Sequence, residues 1–329
     1  MPRYGFNMLW MFAKRGEREA FPPDLRQLDF IARHGFNFIR VPTDYRFWTR
    51  ADDFYNPDER ALRKIDGYIE AGRERGLHVS LNIHRAPGYC INNPPKDLNL
   101  WTDEAAQNAF IFQWELFAER YKGIPAEELS FDLLNEPPGP GTGSFTRERH
   151  QSLMRRVIGA VKAIDPGREI VLDGVSGGAA AIPELSDTGA VHSGRGYSPF
   201  TVSHYGAEWV KEPPGGWREP VYPGGGWDKD KLREHYKPWR DVAAGGTPVH
   251  IGEFGCYNKT PNGVALAWLS DLLSLWREFG WGYALWNFAG PFGVVEHGRP
   301  DAVYEALDGY RIDRALWELL LENRVSGAM

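Results

Sequence analysis

Two glutamates end apolar, strand-like runs in this chain: Leu133-Leu134-Asn135-Glu136-Pro137 and Val249-His250-Ile251-Gly252-Glu253-Phe254-Gly255. A carboxyl group on either side of an acetal is the least equipment that glycoside hydrolysis needs. One acid protonates the departing oxygen, and the other attacks or stabilises the anomeric carbon. Elsewhere in the chain, Arg40, His84, His204, Tyr205 and Trp286 also close apolar runs. Scattered surface polars do not favour strand ends so consistently, and this clustering implies one mouth into which several strands deliver their last side chains.

The elements that must do the positioning follow from periodicity. Strand-like runs are expected at residues 4–9, 37–41, 77–83, 129–134, 169–172, 201–204, 248–252 and 282–286. Between them, amphipathic helical patterns cover 24–34, 59–75, 103–121, 146–164, 229–242 and 264–279, with 314–322 closing the chain. Only the crossover around 177–186 is weakly helical. Alternating strand and helix feeds a parallel sheet, and eight such units in 329 residues predict an α/β fold, a single (β/α)₈ TIM barrel over residues 1–329. Its chemistry collects at the C-terminal ends of the strands. Strands four and seven lie nearly across such a mouth, so their glutamates are expected to converge, with carboxyls about 5 Å apart, the retaining geometry.

One connection is unusually long. Residues 206–226 are rich in Gly and Pro and carry Trp209, Trp217 and Tyr222, with Trp227 following. Loops of this length without secondary structure are usually functional. The segment reads as a wall or lid of a sugar cleft, with Trp217 and Trp227 as sugar-binding candidates, or as a passive insertion.

Composition sets outer limits. A formal charge of −6 with mixed signs offers no basic stripe for a phosphate backbone, so nucleic acid is not an expected partner. Thirteen tryptophans exceed what an aliphatic core needs, and flat rings suit the faces of sugars. Cys90 and Cys256 alone cannot build a disulfide framework. The apolar stretch at 8–13 is too short for a signal core or a membrane span, which makes a cytoplasmic enzyme the simplest expectation, or a secreted one whose leader was removed. The histidines show no pair at zinc spacing, so no metal is expected.

Taken in order, Ile39-Arg40-Val41-Pro42, His84-Arg85-Ala86-Pro87-Gly88, Asn135-Glu136-Pro137, His204-Tyr205, Glu253-Phe254-Gly255 and Leu285-Trp286-Asn287 resemble glycoside hydrolase family 5, the cellulase-like family, across nearly the whole chain. The resemblance implies a retaining β-glycosidase acting on β-1,4-linked glucan or related oligosaccharides, of endo-glucanase type, with no metal or organic cofactor. An exo-acting β-glucosidase, or a β-mannosidase or β-mannanase, on imported oligosaccharides is the alternative. A barrel that binds carbohydrate without turnover is a second class, and it need not keep both glutamates. By the same match Glu136 is the acid/base, in apolar surroundings that favour its protonated form, and Glu253 the nucleophile. Arg40 and Tyr205 are the groups expected to keep Glu253 ionised. Asn135 is matched to the sugar 2-hydroxyl, His84 to the polar network on the non-reducing side, and Trp286 to the platform beneath that sugar. Core packing is the other reading of His84 and Trp286.

Two departures stand out. Arg85 occupies a place where many relatives carry glycine. The family's sixth-strand signature is His-x-Tyr, which puts both side chains on one face, whereas His204 and Tyr205 are adjacent and face opposite ways unless a bulge intervenes.

Overall fold

Apolar runs that alternate with amphipathic stretches produce eight parallel strands, each followed by a crossover. In the computed structural model, which describes residues 2–14, 22–50, 53–91 and 98–324, these strands close into a barrel in sequential order. They are β1 (Tyr4–Asn7), β2 (Phe38–Asp44), β3 (His78–Arg85), β4 (Leu129–Asp132), β5 (Glu169–Asp173), β6 (Val191–Gly196), β7 (Val249–Phe254) and β8 (Gly282–Leu285). Helices α1 (Leu25–Arg33), α2 (Glu59–Arg73), α3 (Glu104–Tyr121), α4 (Arg147–Ile164), α5 (Phe200–Ser203), α6 (Lys229–His235), α7 (Lys237–Ala244) and α8 (Asn262–Phe279) lie in the crossovers. A hairpin, β9 (Tyr304–Leu307) and β10 (Tyr310–Asp313), and α9 (Arg314–Glu322) end the fold. Asp24, Asp58, Thr146 and Asp313 cap their helices by accepting a backbone N–H in the first turn. Each such cap stabilises by about 1 kcal/mol.

The chain divides into two compact units, residues 8–193 and residues 1–7 with 194–329. In the first, Phe38 registers with His78, Val79 with Leu129, Ser130 with Glu169 and Val171 with Val191. Ile39, Val41, Leu81, Phe131 and Leu133 are buried with Trp48 and Trp114 from the surrounding segments. In the second, β8 lies between β1 and β7, Tyr283 pairing with Tyr4 on one side and Ile251 on the other. Trp268, Trp276 and Trp317 are fully buried there. No described helix is long and apolar enough to cross a membrane. Cys90 and Cys256 are free, buried thiols.

The sixth strand corrects the sequence reading. Residues 201–204, expected as a strand for their Val and Thr, instead lie in the single helical turn α5 and its C-terminal cap His204, because Pro199 leads in from extended backbone and its carbonyl accepts from the Val202 and Ser203 N–H groups. The strand is Val191-His192-Ser193-Gly194-Arg195-Gly196, which carries almost no apolar signal. Its glycines are required by packing. A Cβ on Gly196 would lie 2.5 Å from the Trp276 ring and 2.6 Å from the Phe254 Cβ. The helix expected over 229–242 is likewise two helices broken at Tyr236, with Pro238 in the first turn of α7. The weak fifth crossover contains a 3₁₀ segment over Pro183–Thr188.

Candidate active site

Within the unit of residues 8–193, the strand ends bring Arg40, Asp132, Asn135, Glu136 and Asp173 into one network. The Arg40 guanidinium is buried. It donates through Nε to Asp132 Oδ2 at 2.6 Å and through Nη2 to Asn135 Oδ1 at 2.9 Å, and Asp173 Oδ2 lies 3.7 Å from the same Nη2. An unpaired charge at such depth costs several kcal/mol, so the cation and its carboxylates must be assembled together. Asp173 Oδ2 also accepts the Glu136 backbone N–H at 2.9 Å, and Tyr89 donates its hydroxyl to the Glu136 carbonyl at 2.5 Å. Burial pushes the Tyr89 phenol well above its usual range, so it stays a donor. These ties hold Glu136 at φ 49°, in the left-handed region, a strain of about 1–3 kcal/mol that persists only where surroundings over-determine it. Such outliers cluster at functional sites.

His84 is buried near the end of β3, its ring edge-on to Phe12 at 5.6 Å. Arg85 turns toward the buried Asp44 carboxylate, 3.5 Å away, which also receives Arg46 Nε and the Lys14 N–H.

Within the other unit, Glu253 is 3% exposed and held at both oxygens. Arg195 Nη2 stands 3.1 Å from Oε1, and the Tyr197 hydroxyl donates to Oε2 at 3.2 Å. The register of β7 on β8 shifts between Ile251 and Phe254, a bulge that re-aims the side chain between them. The Asn7 amide on β1 stabilises this irregularity by donating to the Gly252 carbonyl at 2.9 Å and the Leu285 carbonyl at 3.2 Å. Trp286 follows β8, half-buried, its N–H donating to the Phe254 carbonyl at 2.7 Å.

The relocated sixth strand changes the expected roles of His204 and Tyr205. His204 ends α5, stacked on Phe200 at 3.9 Å and edge-on to Tyr197 at 5.0 Å. Burial lowers its pKa to about 3, so it is a neutral packing partner behind Tyr197. Tyr205 packs edge-on to Trp217 at 5.9 Å in the long connection. Trp227 closes a tight turn with Gly224 and meets His235 of α6 edge-on at 5.8 Å. The phenol on Glu253 belongs to Tyr197, where the sequence points to Tyr205, and Arg195 adds a guanidinium beside it. The signal that marks the pair is Arg195-Gly196-Tyr197, two polar side chains at i and i+2 of a strand end.

Comparison with known proteins agrees with the fold and chemistry. The family model described as Cellulase (glycosyl hydrolase family 5) matches residues 17–290. Endoglucanase C of Acetivibrio thermocellus is 26% identical over 293 residues, covering 80% of this chain and 83% of that protein. A crystal structure described only as a glycoside hydrolase is 55% identical, covers 99% of this chain and 100% of that one, and superposes with a TM-score of 0.96. A mutant form of Cel5A from Thermotoga maritima, solved with cellobiose, is 25% identical, covers 97% of this chain and 96% of that one, and has a TM-score of 0.78.

Proposed function

This chain belongs to glycosyl hydrolase family 5, the cellulase family, and from that premise we propose that it cleaves β-1,4-linked glucan and its oligosaccharides by double displacement, in the endo manner. Glu136 protonates the glycosidic oxygen as Glu253 attacks the anomeric carbon, and the alcohol departs to leave a glycosyl ester on Glu253. Water then attacks that carbon, its proton passing to Glu136, and the Glu253 carboxylate leaves with the anomeric configuration retained. Asn135 serves the 2-hydroxyl, and Trp286 offers a platform to the sugar.

The observation that carries this reading is the setting of Glu253: a buried carboxylate with one cationic and one neutral donor, each on its own oxygen. The choice of β-1,4-glucan is supported by similarity to an endoglucanase and to a relative solved with cellobiose. The test is a pair of variants. Glu253→Gln should lower turnover of every β-glycoside by about four orders of magnitude or more. Glu136→Ala should slow substrates with poor leaving groups far more than activated aryl glycosides, and azide should restore turnover by capturing the glycosyl ester. A Glu253→Gln enzyme with substantial residual activity on aryl cellobiosides rejects the nucleophile. Equal losses on both substrate types without azide rescue reject the acid/base. Product lengths from cello-, manno-, laminari- and xylo-oligosaccharides separate endo from exo action and glucose from mannose.

A further inference from the structure

Glu253 has a partner that the double-displacement scheme does not require. Arg195, itself buried, lies 3.1 Å from Oε1 on the residue two positions before the tyrosine that holds Oε2. It is fixed in place. Its backbone carbonyl accepts from the buried Tyr236 hydroxyl at 3.0 Å, and its Nη1 reaches the Gly194 carbonyl at 3.3 Å.

We propose that Arg195 is a positioning residue that governs the lifetime of the covalent glycosyl-enzyme, a proposal that rests on Glu253 being the nucleophile. The carboxylate is charged before attack, becomes a neutral ester in the intermediate, and is charged again once water has replaced it. A permanent cation beside it favours the two charged forms. In the ester the attraction between that cation and the Glu253 carboxylate is lost, which raises the intermediate relative to both charged forms. Tyr197, a neutral donor, discriminates less between the two forms. Arg195 therefore makes Glu253 a slower nucleophile and a faster leaving group. In the second step the bond from the anomeric carbon to the Glu253 oxygen breaks and its electron pair returns to the carboxylate beside Arg195. Water supplies the new oxygen, and its proton goes to Glu136.

The experiment uses an activated substrate, dinitrophenyl β-cellobioside, with which the second step limits turnover. Arg195→Gln should lower kcat about tenfold or more and lower KM with it, leaving kcat/KM within about threefold of the parent. Intact-protein mass spectrometry, timed after free substrate is removed, should show the glycosyl adduct decaying about tenfold or more slower than in the parent. In Arg195→His, the adduct should decay more slowly as pH increases through the imidazole range, which gives a second reading if the glutamine variant does not fold. An unchanged adduct lifetime in a folded variant, or equal losses in kcat and kcat/KM, overturns the proposal. A fluoro-cellobioside, with fluorine replacing the hydroxyl beside the anomeric carbon, separates the two levels. If it fails to label Glu253 in the parent enzyme, the nucleophile assignment falls and this inference with it. Labelling with no change of lifetime in the variants sinks the inference alone.

Discussion

Glu253 is gripped through both oxygens, and the neutral grip is the one that can be removed cleanly. Tyr197→Phe deletes a hydrogen bond to a charged acceptor, an interaction of about 1.5–3 kcal/mol, and should lower kcat/KM on cello-oligosaccharides about 10- to 100-fold with little change in melting temperature. Tyr205→Phe, whose ring packs on Trp217, should change it less than about twofold. Steady-state kinetics of the two variants side by side would reverse the assignment if Tyr205 proved the more sensitive. Both glutamates were legible in the sequence, because each terminates a run whose neighbours are apolar. Arg195 and Tyr197 beside Glu253 were not. A strand end presents i and i+2 on one face; His204 and Tyr205, adjacent residues at a helical turn, fail that rule, while Arg195 and Tyr197 meet it in a strand with no apolar signature.

At the scale of elements, β6 explains why hydropathy alone misplaced a strand. Its glycines leave room for Trp239 and Trp276, so the apolar mass that stabilises the strand sits on neighbouring elements and not in its own sequence. Gly196→Ala should therefore destabilise the protein by about 1–3 kcal/mol through overpacking against Trp276 and Phe254. It should also lower kcat, since Arg195 and Tyr197 flank that position. Gly194→Ala meets only the Ile251 terminal methyl at 3.2 Å and the edge of Trp239 at 3.4 Å, and should be milder on both counts. Thermal melts and kinetics on the pair test this, and equal effects would contradict it. The break between α6 and α7 is similar. Tyr236, at the junction, is fully buried and holds the Arg195 carbonyl, a long-range demand that no local helical pattern announces.

For the molecule as a whole, the closed barrel was readable because most of its strands are apolar runs separated by amphipathic helices with their own caps. Its acid sensitivity follows from imidazoles buried in the neutral state. Burial lowers His150 to about 4 and His204 to about 3, one in each compact unit. An unfolded histidine titrates near 6.5. Between that value and the folded ones the unfolded chain binds more protons, so folding stability falls as pH drops, by about 1.4 kcal/mol per pH unit for each histidine. Urea denaturation at a series of pH values should show this slope, and His150→Gln and His204→Gln should each flatten it. A slope unchanged in both variants would place the acid sensitivity elsewhere.

Asn7, the last residue of β1, clasps the kink that aims Glu253 by holding the Gly252 carbonyl 245 positions further along the chain. During synthesis β1 must wait for β7 and β8 before its amide finds these partners. Reactive competence thus arrives with the eighth strand rather than gradually. A nascent chain halted short of β8 would hold both acids and still lack the carbonyl that, with Gly252, completes the clasp, so hydrolytic activity doubles as a report that the eighth strand has joined.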